Sequence, residues 1–150
     1  MKSRYYNVGL SRDDSYKDIL CSPEKCEKNS VIFEVSTHPE FDQENGGIWS
    51  PEHLFVAAIS GCLETTFLTI ANNSKLEYTS FHCHARVKME LVEGELLLSD
   101  IFLKPTVVIK NELTRIKAIR VLKKAEYACL IIHSTKSTIR MEITIELNPI

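Results

Sequence analysis

The sequence predicts an α+β domain, an antiparallel-rich sheet around a long buried central helix with a second helix beside it. Three observations carry that prediction. Residues 50–73, SPEHLFVAAISGCLETTFLTIANN, read as one helix with no charged residue from Leu54 to Leu63. Residues 80–91 alternate between apolar and polar side chains, the pattern of a half-buried strand. The elements follow the order β-β-β-α-β-β-α-β, runs of strands separated by single helices. At 150 residues, 44% hydrophobic and 25% charged, the chain is long enough for a core and is expected to form a single domain over 1–150.

Each element has its own signal. Residues 4–10 (RYYNVGL) suggest a first strand, and Tyr16–Leu20 a short second one within polar turns. Val31–Thr37 alternates and is rich in β-branched residues, so it is a strand. His38–Ile48 is a loop, with Gly46–Gly47 giving freedom just before the helix. Ser50 can cap that helix, Pro51 suits its first position, and Glu52 places negative charge in its first turn. Such an apolar helix is expected to be covered on most sides. Asn72–Asn73 marks its stop.

In Ser80–Leu91, Phe81, Cys83, Ala85, Val87, Met89 and Leu91 share the apolar face, while His82, His84, Arg86, Lys88 and Glu90 share the other. Gly94 marks a hairpin, and Glu95–Lys110 continues as a strand interrupted near Pro105, where proline suggests an edge or a bulge. Glu112–Ala128 is the second helix, with an apolar stripe of Leu113, Ile116, Ile119, Leu122 and Ala125 and a solvated basic face. Thr138–Leu147 closes the chain as a strand. The part of the central helix that these elements leave uncovered makes a homodimer the economical expectation.

A net charge of −2 gives no electrostatic case for a nucleic-acid or anionic-membrane partner. No apolar run approaches the ~20 residues that cross a bilayer. The segment MKSRYYNVGLSRDD lacks the apolar core of a signal peptide, so a cytoplasmic location is expected. The five cysteines, Cys21, Cys26, Cys62, Cys83 and Cys129, are odd in number and scattered, unlike a secreted disulfide framework. Cys21 and Cys26 flank SPEK without further ligands nearby, and His82 and His84 lack a third ligand, so no metal site is expected. Cys83 falls on an apolar strand face and reads as core.

Cys62, preceded by Ser60 and Gly61, sits in the middle of the first helix, and Cys129 falls at or just past the end of the second. Two thiols placed on helices that must pack together are suited to peroxide chemistry. A thiolate attacks the O–O bond and becomes a sulfenic acid, a second thiol condenses with it to a disulfide, and an external dithiol reduces that disulfide. The attacking thiol needs a cationic or hydrogen-bonding neighbour, because burial alone raises its pKa.

The segment SPEHLFVAAISGC resembles the central-helix motif of the OsmC/Ohr family, (N/S)PEELL-x-A-x-x-(A/S)GC, which carries the reactive cysteine. The position of Cys129 after a later helix, the element order and the length agree with that resemblance over most of residues 31–150. The resemblance implies an OsmC-like fold and an intertwined homodimer with active sites at the subunit interface. It further implies cysteine-based reduction of organic hydroperoxides without metal or bound cofactor. By the same resemblance, Cys62 attacks the peroxide, Cys129 resolves, Glu52 positions an arginine, and Arg12 in the SRDD loop is the better arginine than Arg4. The context Cys129-Leu130-Ile131-Ile132 departs from the C-P-x-S-like context usual for the resolving cysteine.

Glu52 and Cys62 lie ten residues apart, ~15 Å along a continuous helix and roughly 80° apart around it. They should not touch within one chain, so Glu52 is expected to act across a dimer or through a bridging arginine. The apolar surroundings of Cys62 favour organic or lipid hydroperoxides over hydrogen peroxide. The alternative is a binding or redox-sensing stress protein on the same scaffold, holding a small apolar ligand.

Overall fold

In the computed structural model, residues 3–6, 9–12, 18–21, 33–35 and 49–148 are described. Contacts divide the chain into two units, residues 1–54 and 55–150. The expected His38–Ile48 loop and Cys26 lie outside the described residues.

The first unit holds three short strands, β1 (Gly9–Arg12), β2 (Asp18–Cys21) and β3 (Phe33–Val35), paired antiparallel in that order. The register Gly9↔Cys21 to Arg12↔Asp18 shifts the first strand later than the expected 4–10, and residues 3–6 adopt no regular structure. Arg12, expected in a loop, is the last residue of β1, because pairing to Asp18 extends the strand into SRDD.

Helix α1 (Pro51–Asn73) begins in this unit. Ser50 Oγ accepts the His53 backbone N–H at 3.3 Å, and the Ser50 N–H donates back to His53 Nδ1 at 3.2 Å. This is the reciprocal arrangement of a capping box, with histidine in the place of the usual glutamate.

In the second unit, β4 (Ser80–Val92) and β5 (Glu95–Ile109) form a long antiparallel pair. The hairpin turn is Glu93–Gly94, with φ of 49° and 83°. Two positive φ values in a two-residue turn match the right-handed twist of the strands, which is why glycine sits there. A 3-10 turn (Glu112–Thr114) leads into α2 (Arg115–Ala128), followed by the short helix α3 (Leu130–His133). The chain then adds β6 (Thr138–Met141) and β7 (Thr144–Leu147) parallel to β5, so β5 is the central strand.

Pro105 does not interrupt β5, contrary to expectation. Leu103 O accepts from Glu142 N at 2.9 Å, so odd-numbered residues of this part of β5 face β6 and β7. The nitrogen of Pro105 therefore faces the junction between these strands and away from β4. Its missing N–H deletes the next rung of the parallel ladder. The expected single strand Thr138–Leu147 thus becomes two, with the same register resumed at Thr106↔Thr144. The bulge lies elsewhere: Lys88 pairs with Asp100 but Met89 with Leu98.

The core joins α1, β5 and α2. α1 buries Ile59, Leu63, Phe67 and Ala71, every fourth residue along one ridge. The Phe67 ring stacks on Phe81 of β4 with centroids 4.9 Å apart. α2 buries Ala118, Val121, Leu122 and Ala125. The expected stripe is therefore rotated, leaving Leu113 88% and Ile116 66% exposed. Leu113 lies in the 3-10 turn, off the α-helical register, and the small Ala118 and Ala125 let the facing elements approach closely. Arg120, Lys123 and Lys124 are exposed, as expected for a solvated face.

Two further expectations are corrected. α1 is not covered on most sides within one chain, since Ala58, Glu64, Leu68 and Thr69 are exposed. At 23 residues it is also long and apolar enough to cross a membrane by length and composition, although its ridge lies in the core. Met89 and Leu91, read as core-facing, are exposed near the hairpin tip, beyond the reach of α1.

Candidate active site

Cys62 lies in the middle of α1 with its side chain half-buried, and Cys129 is fully buried between α2 and α3. Cys129 has extended backbone angles, φ −69° and ψ 114°, which end α2 and redirect the chain. The break leaves the backbone N–H groups of Leu130 and Ile131, at the start of α3, without intrahelical acceptors. Both donate to Cys62 Sγ.

The two thiols are hydrogen-bonded to each other, and their acidities move apart. Burial pushes Cys62 up. The Cys129 thiol, the Ile131 N–H, the Thr66 hydroxyl and the Leu130 N–H together outweigh burial and hold Cys62 below the ordinary thiol value. Cys129 is pushed up to about 11, first by burial and then by its hydrogen bond to Cys62, with smaller opposing contributions from the Ile132 and Ile131 N–H groups. Of the pair, Cys62 is the sulfur that loses its proton first, and Cys129 the one that keeps its proton.

Thr66 stands one helical turn after Cys62. Its hydroxyl donates to the Cys62 carbonyl at 2.7 Å and also lies within hydrogen-bonding reach of the sulfur. One hydroxyl proton cannot serve both acceptors fully, and the short carbonyl contact takes it while Cys62 is a thiol. Sequence reading missed Thr66 and the two backbone N–H groups. The i,i+4 spacing from Cys62 carried the first, but nothing local carried the second.

The structure brings Cys62 and Cys129 together. Glu52 is exposed in the first turn of α1, within the first unit. The Arg12 side chain lies outside the description. The groups that act most on the Cys62 sulfur among the described residues are a thiol, a hydroxyl and backbone N–H donors, with no lysine, arginine or histidine among them.

A second thiol environment lies across α1. Ala57, Ser60, Gly61 and Glu64 face Phe81, His82 and Cys83 of β4 around a cavity of about 290 Å3. Cys83 is half-buried, and burial pushes its thiol up, aided by the Glu64 charge and opposed by the Lys104 N–H. Among the described residues no cluster of three or more His, Cys, Asp or Glu could hold a metal.

The fold and the unequal dithiol define an α+β protein with a cysteine pair at its central helix. The family model of OsmC-like proteins matches residues 43–144, and the chain belongs to that family. Solved structures share its fold. An OsmC-like protein of unknown function from Vibrio cholerae superposes with a TM-score of 0.74 at 21% identity, over 95% of this chain and 99% of that one. An OsmC-like protein from Mycoplasma pneumoniae gives 0.76 at 12% identity, over 97% and 99%. An organic hydroperoxide resistance protein from Elizabethkingia anophelis gives 0.71 at 21% identity, over 99% and 100%. Comparison with curated protein sequences returns no match.

Proposed function

We propose that the protein is a thiol-dependent peroxidase that reduces organic hydroperoxides, with Cys62 as nucleophile and Cys129 as resolving thiol. Family membership and the similarity to organic hydroperoxide resistance proteins support a stress-related redox role. The observation that carries the finer reading is the Cys62–Cys129 hydrogen bond with opposite displacements of the two thiols. The Cys62 thiolate attacks the outer peroxide oxygen, the O–O bond breaks, and the alkoxide takes a proton to leave as an alcohol. Cys62 is oxidised to a sulfenic acid. Cys129 then attacks that sulfur, a disulfide forms and water leaves. An external dithiol returns both cysteines to thiols while being oxidised to its own disulfide.

Exposed apolar side chains at Leu68, Met89, Leu91, Leu113 and Ile116 support a homodimer as the working state, with Glu52 acting across it or through an arginine. The test is turnover of cumene hydroperoxide and of hydrogen peroxide with a dithiol reductant. Wild type is expected to favour the organic peroxide, and Cys62→Ser is expected to lose turnover at least ~100-fold, the scale of losing a covalent catalyst. Equal rates in the two proteins would exclude Cys62 as nucleophile.

A second reading, a redox sensor or a binder of a small apolar ligand, is favoured by one observation: among the described residues the groups that act most on Cys62 are neutral donors and include no cation. A titrated Cys62 pKa at or above the ordinary thiol value of ~8.5 would support that reading against catalysis.

A further inference from the structure

The Cys62 carbonyl has more donors than lone pairs. The N–H of Thr66 points to it along the helix ladder, Thr65 Oγ1 donates at 3.1 Å, and Thr66 Oγ1 donates at 2.7 Å. A carbonyl oxygen offers two lone pairs, so three donors crowd it. One of the two hydroxyls can leave without exposing an unsatisfied oxygen. Thr65 is exposed, whereas Thr66 is half-buried and is the one in reach of the Cys62 sulfur.

We propose that Thr66 is a catalytic hydroxyl that swings from the Cys62 carbonyl to the Cys62 thiolate when the proton leaves the sulfur, so that this site activates its nucleophile through hydrogen-bond donors. The thiol needs little from Thr66, because neutral sulfur is a weak acceptor. The thiolate is a charged acceptor, and a hydrogen bond to a charged group is roughly twice as strong as one between neutral groups. Ionisation therefore reverses the preference of a single hydroxyl proton between two acceptors. The motion is a rotation about the side chain, and the carbonyl keeps Thr65 and the helical N–H. No proton is transferred from Thr66. After the sulfur becomes a sulfenic acid its charge is gone, and the hydroxyl returns to the carbonyl.

The Cys129 thiol and the Ile131 and Leu130 N–H groups reach the same sulfur from the other side of the α2–α3 break. Cys129 cannot remain a donor through the cycle, since it must attack the sulfenic acid. Thr66 is the side-chain donor that no step of the cycle consumes. The catalytic consequence rests on the peroxidase reading, but the hydrogen bond to the thiolate does not.

The test is the pH profile of Cys62 alkylation by iodoacetamide, read on its own peptide, in wild type, Thr66→Val, Thr66→Ser and Thr65→Val. Valine matches threonine in shape and lacks only the hydroxyl. Thr66→Val is expected to move the Cys62 inflection upward by about one pH unit and to slow alkylation ~10-fold below it, the effect of losing one hydrogen bond to a charged group. Thr66→Ser is expected to restore the wild-type profile within about twofold, and Thr65→Val to leave it unmoved. The profile of Cys83 serves as the folding control and stays constant in all four proteins. An unshifted profile in Thr66→Val, or an equal shift in Thr65→Val, overturns the proposal. A Thr66-dependent profile in a protein that reduces no peroxide supports this donor and overturns the peroxidase reading alone.

Discussion

Cys62 and Cys83 are both half-buried thiols, one on α1 and one on β4, and burial pushes both upward. They end on opposite sides of the ordinary thiol value. Around Cys62 burial is outweighed by four donors, two of them backbone N–H groups freed by a helix break. Around Cys83 it is opposed by one backbone donor and reinforced by the charge of Glu64. The difference has two parts: Cys83 is the more deeply desolvated of the two, and Cys62 has more donors aimed at its sulfur. Partial burial therefore lowers or raises a thiol according to the balance between lost water and the donors that replace it.

The strongest way to break this comparison is to take the side-chain donor away. Cys129→Ala removes both the proposed resolving thiol and the largest of the hydrogen bonds that lower Cys62. Dithiol-driven turnover is expected to stop, no disulfide to Cys62 should appear in peptide maps after mild oxidation, and the Cys62 pKa should rise by about one unit or more. A Cys62 that titrated unchanged would make Cys129 irrelevant to its acidity.

The next effect needs no substitution. Thiolate, not thiol, reacts with iodoacetamide, and its fraction rises with pH through each pKa. The Cys62 inflection is expected below the ordinary thiol value, and those of Cys83 and Cys129 above it. Below both inflections the thiol with the lower pKa carries the larger thiolate fraction, so Cys62 should label faster than Cys83. Peptide-resolved labelling that found equal rates would erase the distinction between the two sites.

The smallest effect sharpens the other side. Glu64→Gln removes one like charge facing Cys83. Glu64 is exposed and screened by solvent, so the Cys83 inflection should fall only slightly, while that of Cys62 stays in place. A shift at Cys62 would mean that Glu64 acts on both sulfurs and that the two environments are not separate.

Much of the fold was legible because its signals are local. Ser50 and Pro51 start α1 where the sequence placed its start, and the alternation of Ser80–Leu91 marks β4 to within one residue of its end. The misreadings share a cause. Pro105 reads locally as an edge or a bulge, but its consequence depends on which neighbour its nitrogen faces, and that is set by pairing with β6 and β7. Leu113 and Ile116 fit an α-helical stripe, but the 3-10 turn and the small side chains of α2 select another face. Arg12 reads as loop until its partner Asp18 is known.

For the candidate site, the sequence by itself determined which thiols sit on which elements: Cys62 inside a capped apolar helix and Cys129 at the end of a second one. It determined these because capping, helical period and charge-free runs act over a few residues. Only the tertiary structure decided that the two thiols meet, that Cys129 gives the hydrogen bond and Cys62 receives it, and that the Leu130 and Ile131 N–H groups converge on the same sulfur. A hydrogen bond between residues far apart in the chain has direction and strength only once packing has removed water and fixed the break after α2. The central helix was written in the sequence, and the chemistry of its cysteine was settled by what packs against it.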